Sequence, residues 1–431
     1  MLEPPTGQPA GGLRHRVSRD RRGEEDPLNA PPPDPFADLV PAVAPDDDGA
    51  VQLLAPDGSR RTDERWPASA PGSDTEIAQL RHAYRDMVAT RLIDTEATAL
   101  QRQGELALWA SAQGQEAAQI GAGHALARQD HVFPSYREHG IARVRGVGPL
   151  EILSLFRGVD FGGWDPVATG FHQYSLVVAA QALQAVGYAM AVARDGRIGS
   201  GEPASTGRDI AVLGCFGDGA TAEGDVNEAL VWAGTQRPPV VLFCQNNQWA
   251  ISQPVSRQAG APLWRRAAGF GVPGVRVDGN DVLACRAVLT AALDRARSGG
   301  GPSFVEAFTF RVGAHTTADD ATRYRSADEV DLWAARDPLA RVRTRLEHLD
   351  ALDADYLAAI DDECADLARS IRRGIRELPD PQLSRVFAHG WSRPPEGVVI
   401  QERDYRALLD SYALDAAGAG AAAGTDPAAV R

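Results

Sequence analysis

The sequence predicts an α/β fold, with a mostly parallel sheet, helices on both faces and a helical C-terminal region. Continuous apolar runs at 210–216 and 239–244 point to it first, because a strand covered on both faces needs no polar alternation. The segment 222–234 between them has room for the crossover helix that parallel neighbours require. Strand-like and helix-like segments also alternate along the rest of the chain, the pattern of an open α/β sheet.

Taken in order, residues 1–73 are rich in Pro, Asp, Gly and Ala, and an arginine cluster (Arg14, Arg16, Arg19, Arg21, Arg22) runs into Glu24, Glu25 and Asp26. Such a segment buries too little apolar surface to offset its chain entropy, so it is expected to be a disordered extension with a short strand at 51–54 near its end. The main domain is expected over 74–390. Ser73 or Asp74 caps a pattern in which Ile77, Leu80, Tyr84, Met87, Val88 and Leu92 recur at helical spacing, giving a helix to about residue 102. A second helix follows over 114–126 and a short strand at 131–133. The loop 158–174 is glycine-rich, with Phe161, Trp164 and Phe171 beside His172, and reads as packed and functional. Residues 176–193 read as an Ala-rich buried helix and 195–207 as an exposed turn. Beyond the central unit come a strand at 274–278, a helix capped by Asn280 or Asp281 to about 297, a strand at 303–311, an irregular loop at 312–325, and helices near 328–348 and 354–378. Residues 391–431 form a C-terminal segment whose last dozen residues are expected to fray.

A formal net charge of -14 and a pI near 5.1 argue against nucleic acid or an anionic membrane as partner, since both favour basic surfaces. The four cysteines (Cys215, Cys244, Cys285, Cys364) have neither disulfide-framework nor zinc spacing. No apolar stretch reaches membrane-spanning length, and a cytoplasmic protein is expected. His82, His124, His131 and His348 read as structural or solvated.

The chemistry concentrates at 208–253. If the two central strands are neighbours, their C-terminal ends deliver Asp218 and Asn247 to one place, the edge at which open parallel sheets bind ligands. Gly217 and Gly219 would let the backbone approach a phosphate. Asp218 supplies a hard anionic oxygen, Asn247 a neutral one, and the main-chain carbonyl of Trp249 a third. Such a donor set suits Mg²⁺ holding a diphosphate.

Gly217-Asp218-Gly219, followed after 26 intervening residues by Asn246-Asn247, resembles the signature of thiamine diphosphate enzymes. Gly114-Gln115-Glu116-Ala117, Tyr136-Arg137-Glu138-His139-Gly140, Cys244-Gln245-Asn246-Asn247 and the run from Arg311 to Asp320 resemble the alpha subunit of the decarboxylating component of 2-oxo acid dehydrogenase complexes, over roughly residues 75–390. The resemblance implies the thiamine diphosphate-binding fold, with thiamine diphosphate and Mg²⁺ as cofactors. It also implies oxidative decarboxylation of a 2-oxo acid, with the acyl group passed to the lipoyl group of a partner acyltransferase. Carried over, Asp218, Asn247 and Trp249 hold the metal. Tyr136 and Arg137 bind the phosphates, and Gly217, Gly219, Ala220 and Glu223 line their pocket. Arg311 and His315 belong to the loop that closes the site, His315 contacting cofactor and intermediates, and His172 lies in the channel. In this family the glutamate that activates the cofactor comes from a separate beta subunit, so an α₂β₂ heterotetramer is expected.

Departures narrow the resemblance. Gly162-Gly163-Trp164-Asp165-Pro166 replaces a Gly-Arg-rich approach to the channel histidine, Trp249 stands where Tyr is common, and Ser175-Leu176-Val177-Val178-Ala179-Ala180-Gln181 lacks the Ser/Pro/Thr pattern of a potassium site. Thr316 stands where animal members carry a regulatory phosphoserine. The run from Ala314 to Ser326 looks closer to branched-chain 2-oxo acid members, such as those acting on 3-methyl-2-oxobutanoate, than to pyruvate members. Pyruvate and acetoin dehydrogenase alpha subunits are the alternatives within the class. A nicotinamide-binding Rossmann protein is disfavoured because the turn lacks Gly-x-Gly-x-x-Gly. Asp218, Asn247, Arg137 and His315 together argue against a non-catalytic assembly subunit.

Overall fold

The computed structural model describes residues 49–423, apart from 382 and 389. Five parallel strands form the sheet: β1 (His131–Phe133), β2 (Val212–Gly217), β3 (Val240–Asn246), β6 (Gly274–Asp278) and β7 (Ser303–Phe308), in the order β1-β2-β3-β7-β6. Between β3 and β6 lies a small antiparallel pair, β4 (Trp249–Ala250) with β5 (Gln253–Pro254). The central pairing sets Gly217 opposite Gln245, so the residues after β2 and β3 emerge side by side.

Alternation along the strands feeds two cores. Val212, Phe216, Val240, Leu242 and Cys244 pack on one face with α6 (Ala180–Arg194) and α7 (Gly224–Gln236). Leu213, Cys215, Val241, Phe243 and Val305 face the other side. There they meet the layer built from α1 (Asp74–Arg102), α2 (Glu116–Ala125), α3 (His139–Val144), α4 (Pro149–Arg157) and α9 (Val282–Arg297). Every residue of β3 is buried, as its unbroken apolar run requires.

Local chemistry sets the helix ends. The Ser73 hydroxyl accepts from Glu76 N at the start of α1, and Asp281 accepts from Leu283 N and Ala284 N at the start of α9. The helix expected over 328–348 is two, α10 (Ala327–Ala334) and α11 (Pro338–His348). Pro338 cannot continue α10 but suits a first helical turn, and Asp337 caps it through Leu339 N and Ala340 N, both at 2.9 Å. Next come α12 (Ala354–Glu377), α13 (Leu383–Ala388) and α14 (Glu396–Ala423). Residues 420–423 continue α14 rather than fray, and 424–431 lie outside the described residues.

Two expectations need correction. The segment 49–73 is not a disordered extension. Val51 bridges β6 through Val51 N to Arg276 O and Asp278 N to Val51 O, and Leu53 and Leu54 are fully buried. Their amides donate to Asp281 Oδ2, each at 2.6 Å. Residues 1–48, with the arginine cluster, lie outside the described residues. The helix expected from 176 starts at Ala180, because Ala179 takes a left-handed conformation (φ 75) that stops it extending backwards. Leu176, Val177 and Val178 are left exposed. No helix among the described residues is long and apolar enough to cross a membrane.

Candidate active site

Four adjacent strands deliver the candidate residues to one sheet edge. Tyr136 and Arg137 follow β1, Asp218 follows β2, Asn247 and Trp249 follow β3, and Arg311 and His315 follow β7. A cavity of about 420 Å³ lies there, lined by Tyr136, Arg137, Gly217, Asp218, Gly219, Ala220, Glu223, Asn247, Trp249 and His315.

Asp218 is 1% exposed, and burial pushes its carboxyl up to about 6. Its Oδ2 accepts from Gln258 Nε2 at 3.3 Å. A buried carboxylate with so little compensation favours a cation beside it. Asn247 is oriented from both sides: its Nδ2 donates to Gln115 Oε1 and its Oδ1 accepts from Trp249 N, each at 3.3 Å. Gly219 is required by the neighbouring turn, since a Cβ there would sit 2.7 Å from the Ala250 Cβ. Gly217 has no such constraint from the protein, the nearest atom to its hypothetical Cβ being Gln245 O at 3.9 Å.

Arg137, 6% exposed, ties two walls together. Its Nη1 donates to Ser111 O, and its Nη2 donates to His315 O at 2.9 Å. The His315 Nδ1 faces Arg137 Nη2 at 3.5 Å and Arg311 Nη1 at 3.4 Å. Both partners are donors only, so Nδ1 accepts and Nε2 carries the proton. Burial, reinforced by those two guanidiniums, lowers the imidazole to about 4, which makes it neutral near pH 7. Asp319 fixes the backbone, its Oδ2 accepting from His315 N at 2.8 Å.

Two expected site residues stand elsewhere. Arg311 is fully buried behind the cavity wall and is absent from its lining. Its guanidinium donates to Trp249 O (3.1 Å), Ile251 O (2.8 Å) and the Tyr324 hydroxyl (2.8 Å), so it shapes the turn after β3. Burial lowers it to about 10, which leaves it charged at neutral pH. His172 also lies outside the cavity. It stacks on Phe133 with centroids 3.8 Å apart and sits 3.2 Å from His131 Nδ1 through its Nε2. Residues 170–172 run beside β1, with Phe171 bridging Val132, so side chains alternate. With Phe171 fully buried in the helical-layer core, His172 faces the other side.

The structure adds residues that the sequence did not single out. Gln115 orients Asn247, Gln258 holds Asp218, and Gln181 donates to Cys215 O at 2.9 Å. Gln115 sits in a quoted motif, but Gln258 is 40 residues from its partner and carries no local signal. Glu138 is fully engaged, accepting from Ser135 Oγ, Arg137 N and Gln245 Nε2. Leu108, Phe156, Leu176 and Val178 make one wall of the cavity apolar.

The polar wall fits a diphosphate and its metal. Gln115 Nε2, Gln181 Oε1 and Gln245 Oε1 are buried without hydrogen-bond partners, and all three residues line the cavity. Orphaned polar atoms around a sparsely hydrogen-bonded, buried carboxylate are what a bound polar ligand satisfies.

Residues 84–370 match the family model described as "Dehydrogenase E1 component". The chain belongs to the dehydrogenase E1 component family. This E1 chain is 42% identical over 360 residues to the 3-methyl-2-oxobutanoate dehydrogenase subunit alpha of Mycobacterium tuberculosis, covering 83% of this chain and 94% of that one. It is 35% identical to the mitochondrial 2-oxoisovalerate dehydrogenase subunit alpha 2 of Arabidopsis thaliana, over 77% of this chain and 70% of that one. It is 32% identical to the pyruvate dehydrogenase E1 component subunit alpha of Staphylococcus aureus, over 78% of this chain and 86% of that one. It is thus a 2-oxo acid dehydrogenase E1 alpha chain, of a family that uses thiamine diphosphate.

Proposed function

We propose that this chain is the alpha subunit of a branched-chain 2-oxo acid dehydrogenase that uses thiamine diphosphate and Mg²⁺, with 3-methyl-2-oxobutanoate as the favoured substrate type. The observation that carries the reading is the convergence of Tyr136, Arg137, Asp218, Asn247 and His315 on one cavity at the sheet edge. In this reading Asp218, the Asn247 side-chain oxygen and the Trp249 carbonyl hold the metal, and the Arg137 guanidinium pairs with the diphosphate. When bound, thiamine diphosphate supplies the carbon nucleophile and the electron sink that decarboxylation needs. Neutral His315 offers its Nε2 proton to a ligand oxygen, held in place by Asp319 and the two guanidiniums. Leu108, Phe156, Leu176 and Val178 give one side of the cavity an apolar surface that suits a branched aliphatic chain.

Glu138 is held within the protein by Ser135 Oγ, Arg137 N and Gln245 Nε2, and in this reading it is not the carboxylate that activates the cofactor. That carboxylate comes in this reading from a separate beta subunit, in an α₂β₂ cytoplasmic assembly that passes its acyl group to a lipoyl-bearing acyltransferase. The test is turnover of 3-methyl-2-oxobutanoate against pyruvate by the purified αβ pair. Apolar pockets separate such substrates by about 1–3 kcal/mol, or 10–200-fold. A strong preference for pyruvate overturns the branched-chain reading.

A further inference from the structure

At the surface of α1, His82 and Asp86 stand one helical turn apart, and His124, near the end of α2, reaches the same point. His82 Nε2 lies 3.3 Å and His124 Nε2 2.8 Å from one oxygen, Asp86 Oδ2. The three ligand-capable atoms all lie within 4.8 Å of one another. None of these residues lines the catalytic cavity.

Two imidazoles and one carboxylate are a zinc-class donor set that leaves a fourth position for water. With metal–ligand bonds of about 2.0–2.1 Å, a tetrahedral ion separates its donors by roughly 3.3 Å, which matches the 3.3 Å from His82 and asks the 2.8 Å contact of His124 to open by about 0.5 Å. The two rings are stacked, with centroids 4.4 Å apart. His82, whose side chain is 64% exposed, is free to swing its Nε2 towards the shared point. The surroundings support the carboxylate. Arg143 Nε faces the other oxygen, Asp86 Oδ1, at 3.6 Å, an ion-pair contact that favours the carboxylate form. Arg143 and Arg85 are both paired with Glu363, which offsets their charge. Arg286 is a further guanidinium whose charge reaches His82, so modest affinity is expected.

We propose that His82, Asp86 and His124 form a surface site for a divalent cation of the zinc class, water completing its shell, which staples α1 to the C-terminal end of α2. The opposite end of α2 carries Gln115 and Glu116 beside the cavity, so the staple steadies a helix that borders the active site without entering it.

The test uses the full-length chain without a polyhistidine tag, with excess Mg²⁺ and thiamine diphosphate present to fill the cavity. Calorimetric titration with Zn²⁺ is expected to show one bound ion per chain, Co²⁺ to give the visible absorption of a tetrahedral site, and Zn²⁺ to raise Tm. Asp86→Asn, His124→Ala and His82→Ala should each weaken Zn²⁺ binding by at least about tenfold, the scale that even outer-shell changes reach. His82→Ala alters an exposed side chain, so it keeps the test decisive if either buried variant fails to fold. Absence of zinc binding by the parent chain, or equal binding by parent and His82→Ala, overturns the site and leaves a His–Asp–His hydrogen-bond cluster in its place.

Discussion

Lowering the pH from 7 to 5 should weaken Mg²⁺ binding about tenfold, because one buried carboxylate takes up a proton in that interval. Burial raises Asp218 from 3.8 to about 6. Only its ionised form ligates, so the apparent Kd scales as about 1 + 10^(6−pH), roughly 11 at pH 5 against roughly 1.1 at pH 7. A carboxyl at its ordinary value would change binding by only about 6% over the same range. The same shift acts on stability with a definite sign. At this one group the folded, metal-free state holds more proton than the unfolded one between pH 4 and 6, so the contribution of Asp218 to stability falls as pH rises through that window. The elevation of about two pKa units corresponds to on the order of 3 kcal/mol, which a cation bound at Asp218 would offset. The assay is calorimetric titration of Mg²⁺ into the purified αβ pair with thiamine diphosphate at pH 7, 6 and 5, corrected for protonation of the cofactor phosphate measured without protein. Affinity that stays flat from pH 7 to 5 after that correction refutes the argument.

Other consequences follow from single contacts. Gly114 sits at φ +96, where an added Cβ would meet Phe310 O at 2.3 Å; Gly114→Ala should cost about 2 kcal/mol or more in urea unfolding and weaken cofactor binding by displacing Gln115. His172→Ala should leave kcat/KM within about 0.5 kcal/mol, roughly twofold, while lowering stability by about 1 kcal/mol through loss of its stack on Phe133. A large drop in kcat/KM would return His172 to the channel. Asp281 accepts four backbone amides (Leu53, Leu54, Leu283 and Ala284). Asp281→Asn, with one accepting oxygen left, should cost about 2–4 kcal/mol and speed proteolysis near residue 50.

The part of the cavity at the ends of β2 and β3 was legible because its residues directly follow apolar runs, so the strand ends can be placed from the sequence. Asp218 and Asn247 needed only parallel neighbours to come together, and the register supplies them. What escaped was set by distant contacts. A short strand at 51–54 was expected, but the order of the whole segment 49–73 was not, because Leu54 N is held by a carboxylate 227 residues away. Leu176 to Val178 look like the first turn of a buried helix, but the left-handed Ala179 leaves all three exposed, with Leu176 and Val178 at the cavity. His172 sits among aromatics as a channel residue would, yet the strand-like alternation beside β1 gives the inward place to Phe171. Arg311 follows β7 in the expected motif, but the carbonyls of Trp249 and Ile251 occupy its guanidinium.

Val51 does for β6 what a sixth strand would do. β6 ends the sheet order, and the amide of Asp278 donates to Val51 O while Arg276 O accepts from Val51 N. An uncovered strand edge is a template for another chain to pair with. Cutting the chain at 74, where the composition changes, would therefore do more than remove a loose leader. It would unmask that edge and empty the seats of Leu53 and Leu54, leaving the chain prone to self-association through β6. A tag or fusion joined ahead of residue 49 leaves the same edge shielded.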